Sequence, residues 1–321
     1  MSPTAVPQQP DDSLAIRAAW LHYAGGLTQA QVAQRLGVSS VKAHRLVARA
    51  NQSGAVKVRI DGAVAECAAL EARLSEIFAL AQVEVVPDLS EEGLPLRALG
   101  TAGAAFLQRE IGAGGAGPIG VGHGRTLSAA IRALPRLAAP EARFVSLMGG
   151  LTRNYAANPH DVMHRLAEKT GAEAHVIPVP FFANSPADRD VLLAQRGVAE
   201  VMRMAAEAPL MVVGIGTAQP DAQLVASRMI DLEEIAEVRR LGGVGEVLGH
   251  FFDEAGRVVD SALSARTVSP PVGSLGGRRL VAIAGGIEKL RGIRSVLRSG
   301  LVTGLIIDER TAQALAEDHA G

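Results

Sequence analysis

The sequence predicts an α/β protein in which a small N-terminal winged helix-turn-helix domain precedes a larger Rossmann-like domain. Three observations carry this. Residues 13–60 hold seven basic residues and no Asp or Glu, so this block carries +7 while the whole 321-residue chain carries -1, leaving -8 on the remainder. From about residue 82 onward, short β-rich runs alternate with helical patterns, the rhythm of a mostly parallel sheet with helices on both faces. Glycine-rich turns follow several of those runs, at the strand ends where such sheets bind ligands. Length alone gives room for two domains. Hydrophobic content of 48% and charged content of 20% describe a globular chain.

Residues 1–12 (MSPTAVPQQPDD) read as a disordered tail without the basic and apolar regions of a signal peptide. No apolar run is long enough to span a membrane, so the expected location is the cytoplasm. The DNA-binding domain is expected over 13–61. Ser13 is placed as the cap of a first helix ending near Tyr23, with Leu14, Ile16, Ala19, Trp20 and Tyr23 as its apolar stripe and Gly25-Gly26 as its stop. Thr28 caps a second helix that buries Ala30, Val32, Ala33 and Leu36 and ends at Gly37. Ser39 caps a third over 40–52, with Val41, Leu46, Val47 and Ala50 inward. A short helix, a tight Gly-containing turn and a capped second helix are the helix-turn-helix pattern. Ser39, Ser40, Lys42, His44 and Arg45 then reach base edges or phosphates of double-stranded DNA, with Thr28, Gln29 and Gln31 at the backbone. The alternating run 55–60 (AVKVRI) reads as a wing strand. An αα-hairpin that docks a protein is the competing reading of this block.

Residues 62–81 are expected as a helical linker with Cys67, Leu70, Leu74 and Ile77 on one face. Cys67, the single cysteine, excludes an intrachain disulfide and a Cys-rich zinc site. The effector and oligomerisation domain follows over 82–321. Its predicted strands are 82–86, 118–121, 143–148, 174–179, 210–214, 258–262, 280–284 and 301–307. Its predicted helices are 96–111, 126–135, 159–170, 187–206, 221–228, 288–298 and 309–317. Four glycine-rich strand ends are candidate binding loops. In the first, Gly122, His123, Gly124, Arg125 and Thr126 bring a close backbone, a cation and a hydroxyl to a helix N-terminus, which suits an anion. The second carries Gly149 and Arg153, the third Gly214 and Gly216, and the fourth Lys289 in the first turn of a helix. A cation there opposes the helix dipole, which an anionic ligand would explain, although a solvated lysine also fits. Asp253 is placed either at a ligand hydroxyl or in a turn. His160 and His164 share a spacing with zinc sites, but no HExxH pattern is present, so neither a metal nor a cofactor is assigned. No nucleophile–base arrangement is readable, so the chain is not expected to be an enzyme.

The run from Trp20 to Ser39, with Gly122–Thr126, Met148–Gly150, Gly214–Thr217, Gly249–Asp253, Ala284–Lys289 and 300–311, resembles the SorC (sorbitol operon regulator) family of bacterial transcriptional regulators. The motifs occur in order and cover about residues 14–318. The resemblance implies a sugar-binding domain similar to sugar-phosphate isomerases and deaminases, and assembly as a homodimer or homotetramer. It also implies operator DNA as one partner and a phosphorylated sugar or polyol as the effector. By position, Gly122–Thr126 would hold the phosphate, Arg153 and Lys289 would add charge, and Asp253 would meet the sugar. An isomerase- or deaminase-like enzyme is the alternative that this likeness keeps open. The chain departs from the family pattern at Ser40, where many members carry Arg, and at His44, where Ser is frequent. These departures bear on which operator is read, not on whether DNA is bound.

Overall fold

A computed structural model describes residues 10–56, 64–115, 117–151 and 162–317. The chain divides into two compact units, 1–62 and 63–321.

The smaller unit is three helices: α1 (Pro10–Tyr23), α2 (Gln29–Leu36) and α3 (Ser40–Gln52). The caps read from the sequence set the turn between α2 and α3. Thr28 and Gln31 form a reciprocal capping box at the start of α2. Gly37 ends α2 with φ +65°, a left-handed conformation suited to glycine, and the Ser39 hydroxyl accepts the Lys42 N–H at 3.3 Å. Three expectations shift. The first helix begins at Pro10, so Ser13 lies inside it. Ile16, Trp20 and Tyr23 are exposed, because α1 turns its small residues Ala15, Ala18 and Ala19 onto the other helices. Val41 is also exposed, while Ala43, Leu46, Val47 and Ala50 fill the core. Of the expected wing, residues 57–60 lie outside the described residues. Ala55 and Val56 are not in a strand, and Val56 packs on the helical core.

The larger unit opens with α4 (Val64–Phe78), from the segment expected as a connector, and it is packed into this unit. Its Cys67, Leu74 and Phe78 are buried, and the Arg73 guanidinium donates to the Ala316 carbonyl at 2.8 Å. The chain continues through β1 (Gln82–Val86), α5 (Leu96–Ala113), β2 (Ile119–Val121), α6 (Arg125–Ala133), β3 (Arg143–Leu151), α7 (Met163–Thr170) and β4 (Glu173–Pro180). Next come α8 (Pro186–Ala194), α9 (Arg196–Glu207), β5 (Leu210–Val213), β6 (Gly216–Thr217), α10 (Gln223–Ala226) and α11 (Leu232–Arg240). Last are β7 (Gly245–Val247), β8 (His250–Phe252), α12 (Val272–Leu275), β9 (Arg279–Ile283), a 3-10 turn at 287–289, α13 (Leu290–Arg298), β10 (Gly304–Asp308) and α14 (Glu309–Glu317).

Seven strands pair in parallel in the order β1-β10-β9-β5-β2-β3-β4. Side chains alternate between the faces, as strand geometry requires. Leu280 and Ala282 of β9 enter one core with α4, α13 and α14, while Val281 and Ile283 enter the other with α5, α6 and α7. A three-stranded antiparallel sheet, β6-β7-β8, is inserted between β5 and β9, and the sequence pattern predicts none of its strands. The strand expected at 258–262 is absent. Val258 makes a single bridge to Phe252 and the chain then turns away. The helix expected over 187–206 is broken at Gln195, whose backbone (φ -64°, ψ 127°) ends α8 and begins α9. The helix expected over 221–228 is the single turn α10. Among the described residues no helix is long and apolar enough to cross a membrane.

Candidate functional site

The winding of the chain across the parallel sheet reverses between β2 and β5. From β2 the chain winds through β3 and β4 to one edge, and from β5 through β9 and β10 toward the other. A crevice opens at such a switch point, at the carboxyl ends of the strands. Three of the four glycine-rich loops meet there. The chain leaves β2 at Val121, the Gly122 N–H donates to the Val212 carbonyl at 2.9 Å, and α6 starts at Arg125. Gly124 has φ +132°, which L side chains rarely adopt, and no side chain caps α6. The amide groups of that first turn therefore face the crevice. Gly214 lies against this turn: a Cβ there would stand 3.4 Å from the Thr126 hydroxyl.

Lys289 enters from the third side. Its Nζ donates to the Ile215 carbonyl at 3.2 Å. Burial, reinforced by the Arg125 charge, pushes its ammonium down to about 8, against the opposing pull of Glu288 and Glu246. The loop that carries Lys289 is anchored by Asp308, which ends β10. One carboxylate oxygen accepts the Gly286 N–H at 2.9 Å, and the other accepts the Thr311 N–H at 3.0 Å. A Cβ at Gly285 would collide with that carboxylate. The resulting pocket, of about 70 Å³, is lined by His123, Gly124, Arg125, Thr126, Gly214, Gly216 and Lys289 together with Met148, Gln223, Ser227 and Met229. His123 stands edge-on to Phe181, with ring centroids 5.7 Å apart.

Beside this pocket is a buried carboxyl that sequence reasoning missed. Glu246, on β7, accepts the Gly249 N–H at 2.6 Å, and burial pushes its carboxyl up to about 7. Gly216 must lack a side chain because a Cβ would collide with this carboxylate. The available signal was a lone acid inside the apolar, glycine-rich run 242–249. Because its folded-state value is raised, ionising Glu246 costs stability progressively between about pH 4.5 and about pH 7. Glu246→Gln is therefore expected to flatten that part of the melting-temperature profile relative to wild type. Parallel profiles for the two proteins would refute the buried-acid assignment.

Three predicted residues do not line the pocket. Gly122 stays at the end of β2, its N–H spent on the Val212 carbonyl. Asp253 closes the turn after β8: its carboxylate accepts the Ala255 and Arg257 N–H groups, both at 2.9 Å, and the Arg257 guanidinium at 2.8 Å. These contacts hold the carboxyl below the usual carboxylate range. It lines a separate depression with Arg239, Arg240 and Arg291. Gly149 lies on β3 against the Pro180 backbone, where a side chain would not fit, while its neighbour Met148 reaches the pocket. Arg153 and His160 lie outside the described residues. Among the described residues no cluster of three His, Cys, Asp or Glu could hold a metal ion.

On the smaller unit, Ser40, Lys42, His44 and Arg45 share the exposed side of α3. The Gln29 Oε1 accepts from the His44 Nδ1 at 3.0 Å, tying the start of α2 to this exposed side and leaving the imidazole Nε2 as its second polar atom. The hydroxyl of Thr28 donates to Gln31 at 3.0 Å, and that of Ser39 serves the α3 cap, so both mainly set helix geometry. Asn51 donates to the Tyr23 hydroxyl at 2.9 Å, and Arg49 pairs with Asp12 at 2.7 Å, joining α1 to α3.

Comparison with known proteins agrees with both halves. The family model Sugar-bind, a sugar-binding domain, matches residues 63–317. The erythritol catabolism regulatory protein EryD of Brucella abortus (strain 2308) is 60% identical over 305 residues, covering 95% of this chain and 96% of that protein. The transcriptional regulator LsrR of Enterobacter sp. (strain 638) is 31% identical over 311 residues, covering 95% and 93%. The crystal structure of the full-length sorbitol operon regulator SorC from Klebsiella pneumoniae matches with a TM-score of 0.71 at 27% identity, covering 96% of this chain and 100% of that one. These relatives are named as regulators, which sets aside the isomerase or deaminase alternative. A capped helix-turn-helix and a switch-point pocket on one polypeptide, matched along nearly its whole length, place this chain in the SorC family of sugar-binding transcriptional regulators.

Proposed function

We propose that the protein controls a polyol catabolic operon in the cytoplasm. It binds operator DNA through α3 and senses a short phosphorylated polyol in the switch-point pocket. The observation that carries the effector class is the approach of two cations to an uncapped helix start. Arg125 and Lys289 line the same pocket, where burial first and the Arg125 charge second depress Lys289, so the two cations repel. A bound phosphate relieves that repulsion and accepts from the α6 amides at the same time. Gln223 and Ser227 supply hydrogen-bonding groups for hydroxyls, with the Glu246 carboxyl buried beside the pocket. A four-carbon polyol is favoured because EryD is named for erythritol catabolism. A homodimer or homotetramer presents paired α3 helices to two half-sites of a pseudo-palindrome. The effector regulates only if it binds the DNA-competent and DNA-incompetent arrangements with different affinities.

The test is fluorescence anisotropy of labelled DNA from upstream of the protein's own operon, at fixed salt, with erythritol or its monophosphates added. The expected result is sequence-specific binding that the phosphates shift and erythritol alone does not. Equal shifts by both would overturn the phosphate assignment, and no binding beyond random DNA would overturn the regulator. In the same assay Arg45→Ala should weaken operator binding by roughly tenfold or more, the scale of a lost base contact. Unchanged affinity would remove Arg45 from the reading face.

A further inference from the structure

One large apolar side chain of α3 stands outside the helical core. Val41 is 71% exposed, whereas the other large aliphatic residues of this helix, Leu46 and Val47, are buried. The 3.6-residue period sets His44 and Arg45 on either side of Val41 one turn on. It also lines a depression of about 630 Å³ with Lys42, Arg45 and Arg49. A branched apolar group thus stands in the middle of a cationic, hydrogen-bonding face, in the first turn of the helix that helix-turn-helix geometry aims at base edges. Folding does not require it there: valine is a poorer helix former than alanine or lysine, and this one covers no core.

The major groove offers one apolar group to such a side chain, the 5-methyl of thymine. The other bases present donors and acceptors at that edge. We propose that Val41 is a specificity-determining residue of operator recognition, packing its methyl groups against a thymine methyl in each half-site. This rests on the operator-binding function proposed above. A guanine, adenine or cytosine at the same position would face Val41 with a polar edge left without a partner. Discrimination therefore comes both from the methyl packing at thymine and from the hydrogen bond denied to the other bases.

The experiment uses the full-length chain and a duplex enriched from random-sequence DNA by repeated binding to it. Each thymine is replaced singly by deoxyuridine, which removes the 5-methyl and keeps the base pairing. Wild type should lose about fourfold in affinity at one thymine per half-site, the value of one buried methyl-sized group. Val41→Ala should bind the parent duplex more weakly and show no further loss at that thymine, while keeping its sensitivity elsewhere. Val41→Thr, close to valine in shape and with one methyl retained, should be intermediate. Circular dichroism should show all three proteins equally folded. If Val41→Ala loses as much as wild type at every thymine, or wild type is indifferent to all of them, the proposal is wrong while operator binding stands. If the chain enriches no sequence over random DNA, operator binding itself falls, and the role of Val41 with it.

Discussion

Lys289→Met is expected to weaken the effector response sharply while leaving operator affinity without effector unchanged. Methionine keeps the length of the buried stem and removes the charge. A charge-assisted hydrogen bond to a phosphate is worth about 1.5–3 kcal/mol, so the effector concentration for half-response should rise roughly 10- to 100-fold. Folding should not suffer, because a buried ammonium costs desolvation that methionine does not. The wild-type response should also weaken as pH rises through about 8, where Lys289 loses its proton, and this dependence should be missing in the variant. Anisotropy titrations from pH 7 to 9 decide the matter. A variant that responds at wild-type effector concentrations would show that Lys289 holds no anion.

Asp308→Ala should be the most destabilising single change around the pocket. Asp308 is 5% exposed, and its carboxylate serves the Gly286 amide, the Thr311 amide and the Thr311 hydroxyl. Truncation leaves two buried N–H groups without their acceptor, each at about 1–3 kcal/mol. A total near 3 kcal/mol lowers the melting temperature by roughly 6–12 °C for a unit of this size. The lesion should also reach function, since the Gly286 carbonyl accepts the Lys289 N–H at 2.9 Å and fixes where that side chain starts. Asp308→Asn, which keeps one acceptor oxygen, should be milder on both counts. A melt of Asp308→Ala that coincides with wild type would disprove the anchoring role.

Local signals are legible in the sequence, and distant ones are not. Thr28, Gly37 and Ser39 act within a few residues of themselves, so α2 and α3 can be bounded by inspection. The central strands are continuous apolar runs between glycine-rich turns, the form that buried parallel strands take. The strands β7 and β8 are three residues each, too short to show a period, and the more strand-like run at 258–262 lacks a neighbour to extend its single bridge. In α1 the larger side chains read as the core, yet close helix packing selects Ala15, Ala18 and Ala19 instead. Val41 reads as inward for the same reason, because size and apolarity alone do not say which way a side chain faces. Glycines and a lysine just ahead of α13 mark three loops that the fold brings together. Glu246 is invisible because its meaning depends on Gly216 and Lys289, which only the fold brings near. Asp253 closes its own turn, one of its two readings in sequence, where such a carboxylate looks the same as one that meets a ligand.

The segment between β5 and β9, residues 214–278, stands apart in one respect. It supplies Gln223, Ser227, Met229 and the neighbouring Glu246, whereas Arg125 and the uncapped helix start come from the sheet's own strand ends and Lys289 from the loop after β9. Under the proposed function, the feature common to many metabolites and the feature peculiar to one are then held by separately encoded parts. Retuning such a regulator to a new nutrient requires edits to one stretch of the gene, while the grip on the shared phosphate and the seven strands beneath it remain as they are.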